Sequence, residues 1–378
     1  MAGRGSIIEK GEGKWLVRVF VGRDGSGKRR YRSKAVQGGK RAARKALTAL
    51  LAEKDAGRLP LVRPSATVDE WLDVWLETVA RPSVRERTFW DYEADLRRYA
   101  RPHLGGGRLD RLTPADVRRW LVRLREQGLG ARTIKRAHAT LRAALEEAVS
   151  DGLLRDNPAR ARLVRKALPS VEPSEPATLG EADIEPFVDA CTSDPLGALY
   201  MLMGFGGLRP SEALAVRWAD LNGDTVSIRR VAVDKPGRPL HYAPPKTAKS
   251  RRAVVLPEVV VHELAAHRKR QAAERLAAPE WEDGDLIFAD ERGAPLRQDP
   301  VRRRWNRLRD AVGLPPGLTP YGLRHSAATM LLAAGVPLKI VSERLGHSTI
   351  TLTGDTYSHV HESMQREAAD ALQRLVDG

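Results

Sequence analysis

Leu345-Gly-His-Ser-Thr-Ile-Thr-Leu-Thr-Gly-Asp-Thr-Tyr357-Ser-His-Val360 is the stretch on which the reading of this chain turns. It sets Tyr357 ten residues after His347. Three upstream motifs give it meaning: Gly207-Leu-Arg-Pro-Ser-Glu212, Pro245-Lys-Thr-Ala-Lys-Ser-Arg-Arg252 and Thr319-Pro-Tyr-Gly-Leu-Arg-His325. Phosphoryl transfer needs cations on the non-bridging oxygens, a nucleophile, and a proton for the leaving oxygen. Arg209 and Arg324 suit the first role, because a guanidinium fork binds two phosphate oxygens and keeps its charge. Tyr357 offers a nucleophile, but a phenol near pKa 10 is only about 0.1% ionised at pH 7 and needs cationic neighbours. His347 can hydrogen-bond a phosphate oxygen. Glu212, one helical turn after Arg209, either holds a neighbouring cation or is an ordinary solvated carboxylate. Singly, each residue has a plain alternative: a surface salt bridge, a core tyrosine, a helix-terminal histidine.

In this order and separation the motifs resemble the catalytic domain of the tyrosine recombinases, the phage-integrase family. The resemblance covers essentially the last 200 residues. It implies that Arg209, Arg324 and His347 grip a scissile phosphate while Tyr357 attacks it, forming a 3′-phosphotyrosyl link. Spacing alone does not choose among the cations of 246–252; the family's Lys-Thr motif selects Lys246 as the proton donor to the 5′-oxygen. Lys249, Arg251 and Arg252 are then expected on DNA phosphates. One position departs from the family, which usually has His, sometimes Lys, three residues before the second arginine. Here it is Tyr321, a neutral phenol and a poor base at neutral pH. Removal of the Tyr357 proton then falls to water, to the supporting His325, or to the phosphate itself.

Charge agrees with a polyanionic partner. The chain carries +16 overall, and residues 1–60 hold 16 Lys/Arg against 5 Asp/Glu. An apolar content of 42% and a charged content of 30% fit a folded globular protein. No secretory leader and no membrane-length apolar run is evident, so a cytoplasmic, nucleoid-associated location is expected. The single cysteine, Cys191, rules out an internal disulfide and reads as a small core residue. No acidic metal cluster or His-Glu-x-x-His occurs, and His359 and His361 read as solvated rather than as ligands.

The expected fold is multidomain and mainly α. Residues 1–60 read as three strands and a helix. Trp15, Val17, Val19 and Val21 alternate with Arg18, and a basic strand over 28–34 follows an Asp-Gly turn. A helix spans 40–56, with Leu47, Leu50 and Leu51 as its apolar side. Arginines on the exposed sheet face (Arg18, Arg29, Arg30, Arg32) suit insertion into a DNA groove, and the arrangement resembles the arm-type DNA-binding domain of phage integrases. Residues 64–165 read as a four-helix block whose tryptophans are core, resembling the family's core-binding domain. Thr113-Pro114 starts its third helix, and Gly128 and Asp151-Gly152 stop the third and fourth. A proline-rich linker spans 166–176, followed by the catalytic domain over 177–378. Within it a hairpin is expected, roughly 226–233 against 251–256, with Lys246 at its edge and a further strand near His241. Met364, Ala368, Ala371, Leu372, Leu375 and Val376 form an apolar stripe on a terminal helix.

The function implied by the resemblance is a site-specific DNA recombinase that integrates or excises a phage or mobile element. It calls for no cofactor, and for double-stranded DNA with attachment (core) and arm sites as substrate. The protein would work as a homo-tetramer in the synaptic complex, with excisionase and DNA-bending proteins as accessories. Two alternatives stand beside it: a catalytically weakened architectural DNA-binding protein of the same fold, and a type IB topoisomerase-like enzyme. The basic first 60 residues favour the recombinase, which needs a second DNA-binding head.

Overall fold

A computed structural model describes residues 5–11, 13–23, 29–55, 66–172, 176–347, 349, 369 and 372–375. The chain divides into two units, Met1–Pro173 and Ser174–Gly378. As expected, the described residues are mainly helical with small antiparallel sheets.

In the first unit, β1 (Gly5–Gly11), β2 (Lys14–Arg23) and β3 (Arg29–Gln37) form an antiparallel sheet in sequence order, followed by α1 (Lys40–Asp55). Val17 and Val19 of β2 are buried with Ala43 and Leu50, and Trp15, Leu47 and Leu51 pack around them. The period-2 and period-3.6 patterns therefore meet in one small core. In the β2–β3 register Arg18 pairs with Ser33 and Val19 with Arg32.

The helical block consists of α2 (Val68–Trp75), α3 (Glu86–Asp95), α4 (Pro114–Glu126), α5 (Ala131–Ser150) and a short fifth helix not anticipated, α6 (Arg162–Ala167). Thr67 and Thr113 cap α2 and α4 through reciprocal bonds with Glu70 and Asp116, each box worth about 1 kcal/mol. Gly128 and Gly152 take positive φ (76° and 70°) where the helices stop. Trp71 and Trp120 are buried, and their indole N–H groups donate to the carbonyls of Ala144 and Tyr99.

α2 and α3 each run on through a wider π-helical turn, Leu76–Ala80 and Leu96–Ala100. Both turns precede an Arg-Pro pair. In an α-helix Pro82 and Pro102 would collide with a carbonyl four residues back. Widening moves the closing bond onto Arg81 and Arg101, which donate to the carbonyls of Leu76 and Leu96.

The second unit is built around α8 (Gly197–Gly204), in which every residue is buried. It packs against α7 (Ile184–Ser193), α10 (Glu258–Ala277) and α12 (Pro320–Ala333). α11 (Gln298–Ala311) adds Trp305, edge-on to Phe187 and tilted against Tyr200, with its N–H on the Leu318 carbonyl. The expected single hairpin is instead two sheets. β4 (Leu221–Asn222), β5 (Thr225–Ile228) and β8 (Arg252–Val255) form one, while β6 (Val231–Val233) and β7 (His241–Ala243) form the other. The break falls at Arg229-Arg230, where buried Asp220 accepts from Arg230 at 2.6 Å. Among the described residues no helix is long and apolar enough to cross a membrane.

Candidate active site

The site grows from the turn before α9 (Pro210–Ala213). Gly207 has φ 68°, and a side chain there would meet Leu345 at 2.8 Å. Arg209 is the N-cap and Pro210 the first helical residue. Glu212, at the third helical position, turns back on the cap: its carboxylate accepts the Arg209 backbone N–H at 2.9 Å and the Arg209 guanidinium at 2.7 Å. Glu212 is also fully buried, so it is a holder of cations and not a solvated carboxylate. Arg252, arriving on β8, donates to the same two oxygens at 3.0 and 3.2 Å. Arg324, on α12, lies 3.8 Å from one of them. One buried carboxylate thus faces three guanidinium groups.

The end of α13 (Leu338–Leu345) completes the cluster. Gly346 sits in the left-handed region (φ 65°, ψ 46°). The Gly346 N–H bonds to Glu343 and the His347 N–H to Ser342, which together close a Schellman turn. The next three carbonyls have no partner within the helix, and each takes an arginine. Arg344 accepts from Arg252 Nε at 2.6 Å, Leu345 from Arg324 Nη2 at 2.7 Å, and Gly346 from Arg209 Nη2 at 3.4 Å. A helix C-terminus carries partial negative charge, so it is the natural seat for surplus cations. Arg324 also donates to the Gly207 carbonyl at 2.7 Å.

The electrostatics follow from this crowding. Burial, and then Arg209 and Arg252, push the Arg324 pKa down to about 9, so it is still charged at neutral pH. Burial pushes the Glu212 carboxyl up, but Arg252, Arg209 and Arg324 overcome it and hold it below the usual carboxylate range. His347 is pulled down to about 4 by burial and then by Arg324 and Arg209. His325 moves the same way through burial and Arg324. Both imidazoles are therefore neutral at pH 7, able to donate or accept a hydrogen bond.

The structure brings together Arg209, Glu212, Arg324 and the start of the His347 segment, as the motifs lead one to expect. Arg252, expected on DNA phosphates, has a side chain that is 6% exposed and bonded to Glu212 and Arg344. Lys246 lies on an exposed stretch between β7 and β8, not on a hairpin edge, and Lys249 and Arg251 are exposed beside it. The backbone there reaches the site, since a side chain on Gly346 would meet the Lys249 carbonyl at 3.0 Å. Tyr321 stands in the first turn of α12, 47% exposed, with its ring edge-on to His325 at 5.1 Å. Tyr357, His359 and His361 lie outside the described residues, as do the terminal-stripe residues Met364, Ala368, Ala371 and Val376. Leu372 and Leu375 of that stripe are exposed. The sequence reading missed the carbonyls of 344–346 and the glycines that present them.

Comparison with known proteins places the chain in a family. Residues 178–364 match the model of the phage integrase family, and residues 72–152 match that of the phage integrase N-terminal SAM-like domain. An integrase of Streptomyces ambofaciens is 30% identical, over 91% of this chain and 89% of its own length. The chain belongs to the tyrosine recombinase, or phage integrase, family, and is a site-specific recombinase. A XerC-like tyrosine recombinase of Caldanaerobacter subterraneus is 28% identical across 99% of this chain and all of its own length. Among solved structures, the Tn1549 transposon integrase with circular intermediate DNA shares the fold. Its TM-score is 0.67, at 24% identity, over 80% of this chain and 99% of that one.

Proposed function

We propose that this recombinase cuts and rejoins DNA through a 3′-phosphotyrosyl intermediate, moving a phage or other mobile element into and out of a chromosome. The observation that carries the reading is the charge surplus around Glu212. Three arginines share one buried carboxylate, a local excess of positive charge that a phosphodiester would neutralise. Arg209 is 26% exposed and is the member best placed to meet that anion. The Tyr357 oxygen bonds to phosphorus, and the phenol proton leaves to water or to the neutral His325 imidazole. The bond from phosphorus to the 5′-oxygen breaks, and Lys246 gives that oxygen its proton. A 5′-hydroxyl from the same or a partner duplex reverses the step and reseals the strand. Because the ester retains the bond energy, no nucleotide is consumed.

On this reading residues 1–60 are an arm-site binding domain, 64–165 grip the core site, 166–176 are a linker and 177–378 do the chemistry. Arg18, Arg29, Arg30 and Arg32 serve the arm domain, and Lys249 and Arg251 contact core-site phosphates. The full reaction on two duplexes takes a homo-tetramer, helped by excisionase and DNA-bending proteins. A mobile-element role draws support from the transposon integrase that shares the fold. The test is a nicked suicide duplex carrying the core sequence that the protein itself enriches from a random duplex library. Wild type should form a covalent adduct, Tyr357→Phe none, and Tyr321→Phe a reduced amount. An adduct with Tyr357→Phe overturns the nucleophile. Complete absence with wild type favours an architectural DNA-binding protein.

A further inference from the structure

We infer that Arg252 is a positioning residue of the recombination site: it locks Glu212, and through it Arg209, to the C-terminal end of α13, and it makes no contact with DNA. The inference rests on the proposed phosphoryl transfer at this site and adds to it a residue whose position in a basic run suggests a different job.

Geometry separates Arg252 from its neighbours. In Lys246-Thr-Ala-Lys-Ser-Arg-Arg252 the side chains of Lys246, Lys249 and Arg251 are exposed, whereas that of Arg252 is 6% exposed. Four bonds to protein acceptors engage all three of its nitrogens. Nη1 and Nη2 form a fork on the two Glu212 oxygens at 3.2 and 3.0 Å, Nε reaches the Arg344 carbonyl at 2.6 Å, and Nη1 also meets the Ser250 carbonyl at 3.3 Å. A phosphate would have to displace those partners. Arg209, by contrast, uses Nη1 on Glu212 and only a long 3.4 Å contact from Nη2 to Gly346, and it is partly exposed.

A fork onto a carboxylate fixes that carboxylate's plane as well as its charge. Glu212 so fixed has one orientation in which to hold both the backbone and the side chain of Arg209. The third bond ties β8, and the Lys246 segment leading into it, to the last turn before His347. Arg252 therefore links the strand that follows the proposed proton donor's segment, the arginine proposed to grip the phosphate, and the helix that precedes His347. Lysine keeps the charge but cannot make a planar fork plus a third in-plane bond.

The experiment uses the full chain as Arg252→Lys, Arg252→Gln, Arg251→Gln, Arg209→Lys and the Arg252→Lys/Arg209→Lys pair. Single-turnover adduct formation is measured at saturating suicide duplex, and DNA affinity is measured across a salt series. The wild-type arm tests the chemistry itself; the Arg252 arms test the inference. Arg252→Lys and Arg252→Gln should cleave about 100-fold more slowly with DNA affinity and salt slope unchanged, while Arg251→Gln lowers the slope by about one. In the pair, Arg252→Lys should add little to Arg209→Lys, because both act through one unit. A salt slope lowered by one in Arg252→Gln, or full-rate cleavage by Arg252→Lys, overturns the inference. So do losses that simply multiply in the pair. Thermal melting of Arg252→Lys separates these outcomes from misfolding, since its retained charge keeps Glu212 compensated.

Discussion

Two buried carboxylates, one in each unit, show how the same interaction can be a staple in one place and a site in another. Asp95 in α3 takes a bidentate bond from Arg136 of α5, and that arginine is 60% exposed. The charges balance, and water covers the cation. Glu212 meets Arg209, Arg252 and Arg324, of which the last two are almost wholly buried. Here the charges do not balance, and the helix end at 344–346 makes up only part of the difference. A structural ion pair has no reason to bury surplus charge. On the proposed function, the surplus is where the scissile phosphate would bind.

Removing each carboxylate should break the comparison most sharply. Glu212→Ala strands buried guanidinium groups and should destabilise the second unit by about 3–5 kcal/mol, with adduct formation lost. Asp95→Ala frees an arginine that can hydrate in place, and should cost about 1–2 kcal/mol. Because the chain has two units, the measurement is urea unfolding with hydrogen exchange resolved by unit. The ranking inverts for the cations. Arg136→Ala leaves Asp95 buried without its cation, keeping only the 3.5 Å bond from the Thr140 hydroxyl among the described contacts, at about 3 kcal/mol. Equal costs for the two carboxylates would remove the distinction between staple and site.

Glycines at helix ends give a second, smaller contrast. Gly346 and Gly128 both have positive φ (65° and 76°). A Cβ on Gly128 meets nothing, whereas one on Gly346 meets the Lys249 carbonyl at 3.0 Å and the Arg252 side chain at 3.1 Å. Gly128→Ala should therefore cost about 1 kcal/mol from backbone strain alone. Gly346→Ala should cost about 2–3 kcal/mol and slow adduct formation, because it moves the carbonyls that hold the arginines. Thermal melting and single-turnover cleavage of both variants check this.

Much of the fold was legible because its signals are local. Thr113-Pro114, Gly128 and the alternation of Trp15, Val17 and Val19 act within a few residues, and the elements follow them. The motifs also placed Arg209, Glu212 and Arg324 in one reading, and the geometry brings them together. What stayed hidden depends on distant partners. Whether Arg252 points to solvent or inward is decided by Glu212, 40 residues earlier, and by Arg344, 92 residues later. The π turns needed only the Arg-Pro pairs, a local signal that was overlooked.

The subtlest contrast lies between two histidines held below their ordinary pKa. His138 of α5 is lowered by burial, and it bonds the Ala159 carbonyl. His347 is lowered to about 4 by burial and then by Arg324 and Arg209. In both, folding favours the neutral ring. Each therefore contributes its full stability above the unfolded pKa of about 6.5, and for His347 that contribution is lost as pH falls through about 4. An anion among the arginines offsets their charge, so one of the two causes acting on His347 weakens while burial remains. His138 has no such arginine cluster and should not respond. In NMR titrations the His347 pKa should rise when the core duplex is added, by up to about one unit, and that of His138 should stay fixed. A His347 pKa indifferent to DNA would mean that the phosphate does not sit against Arg209 and Arg324, and the surplus charge around Glu212 would need another explanation.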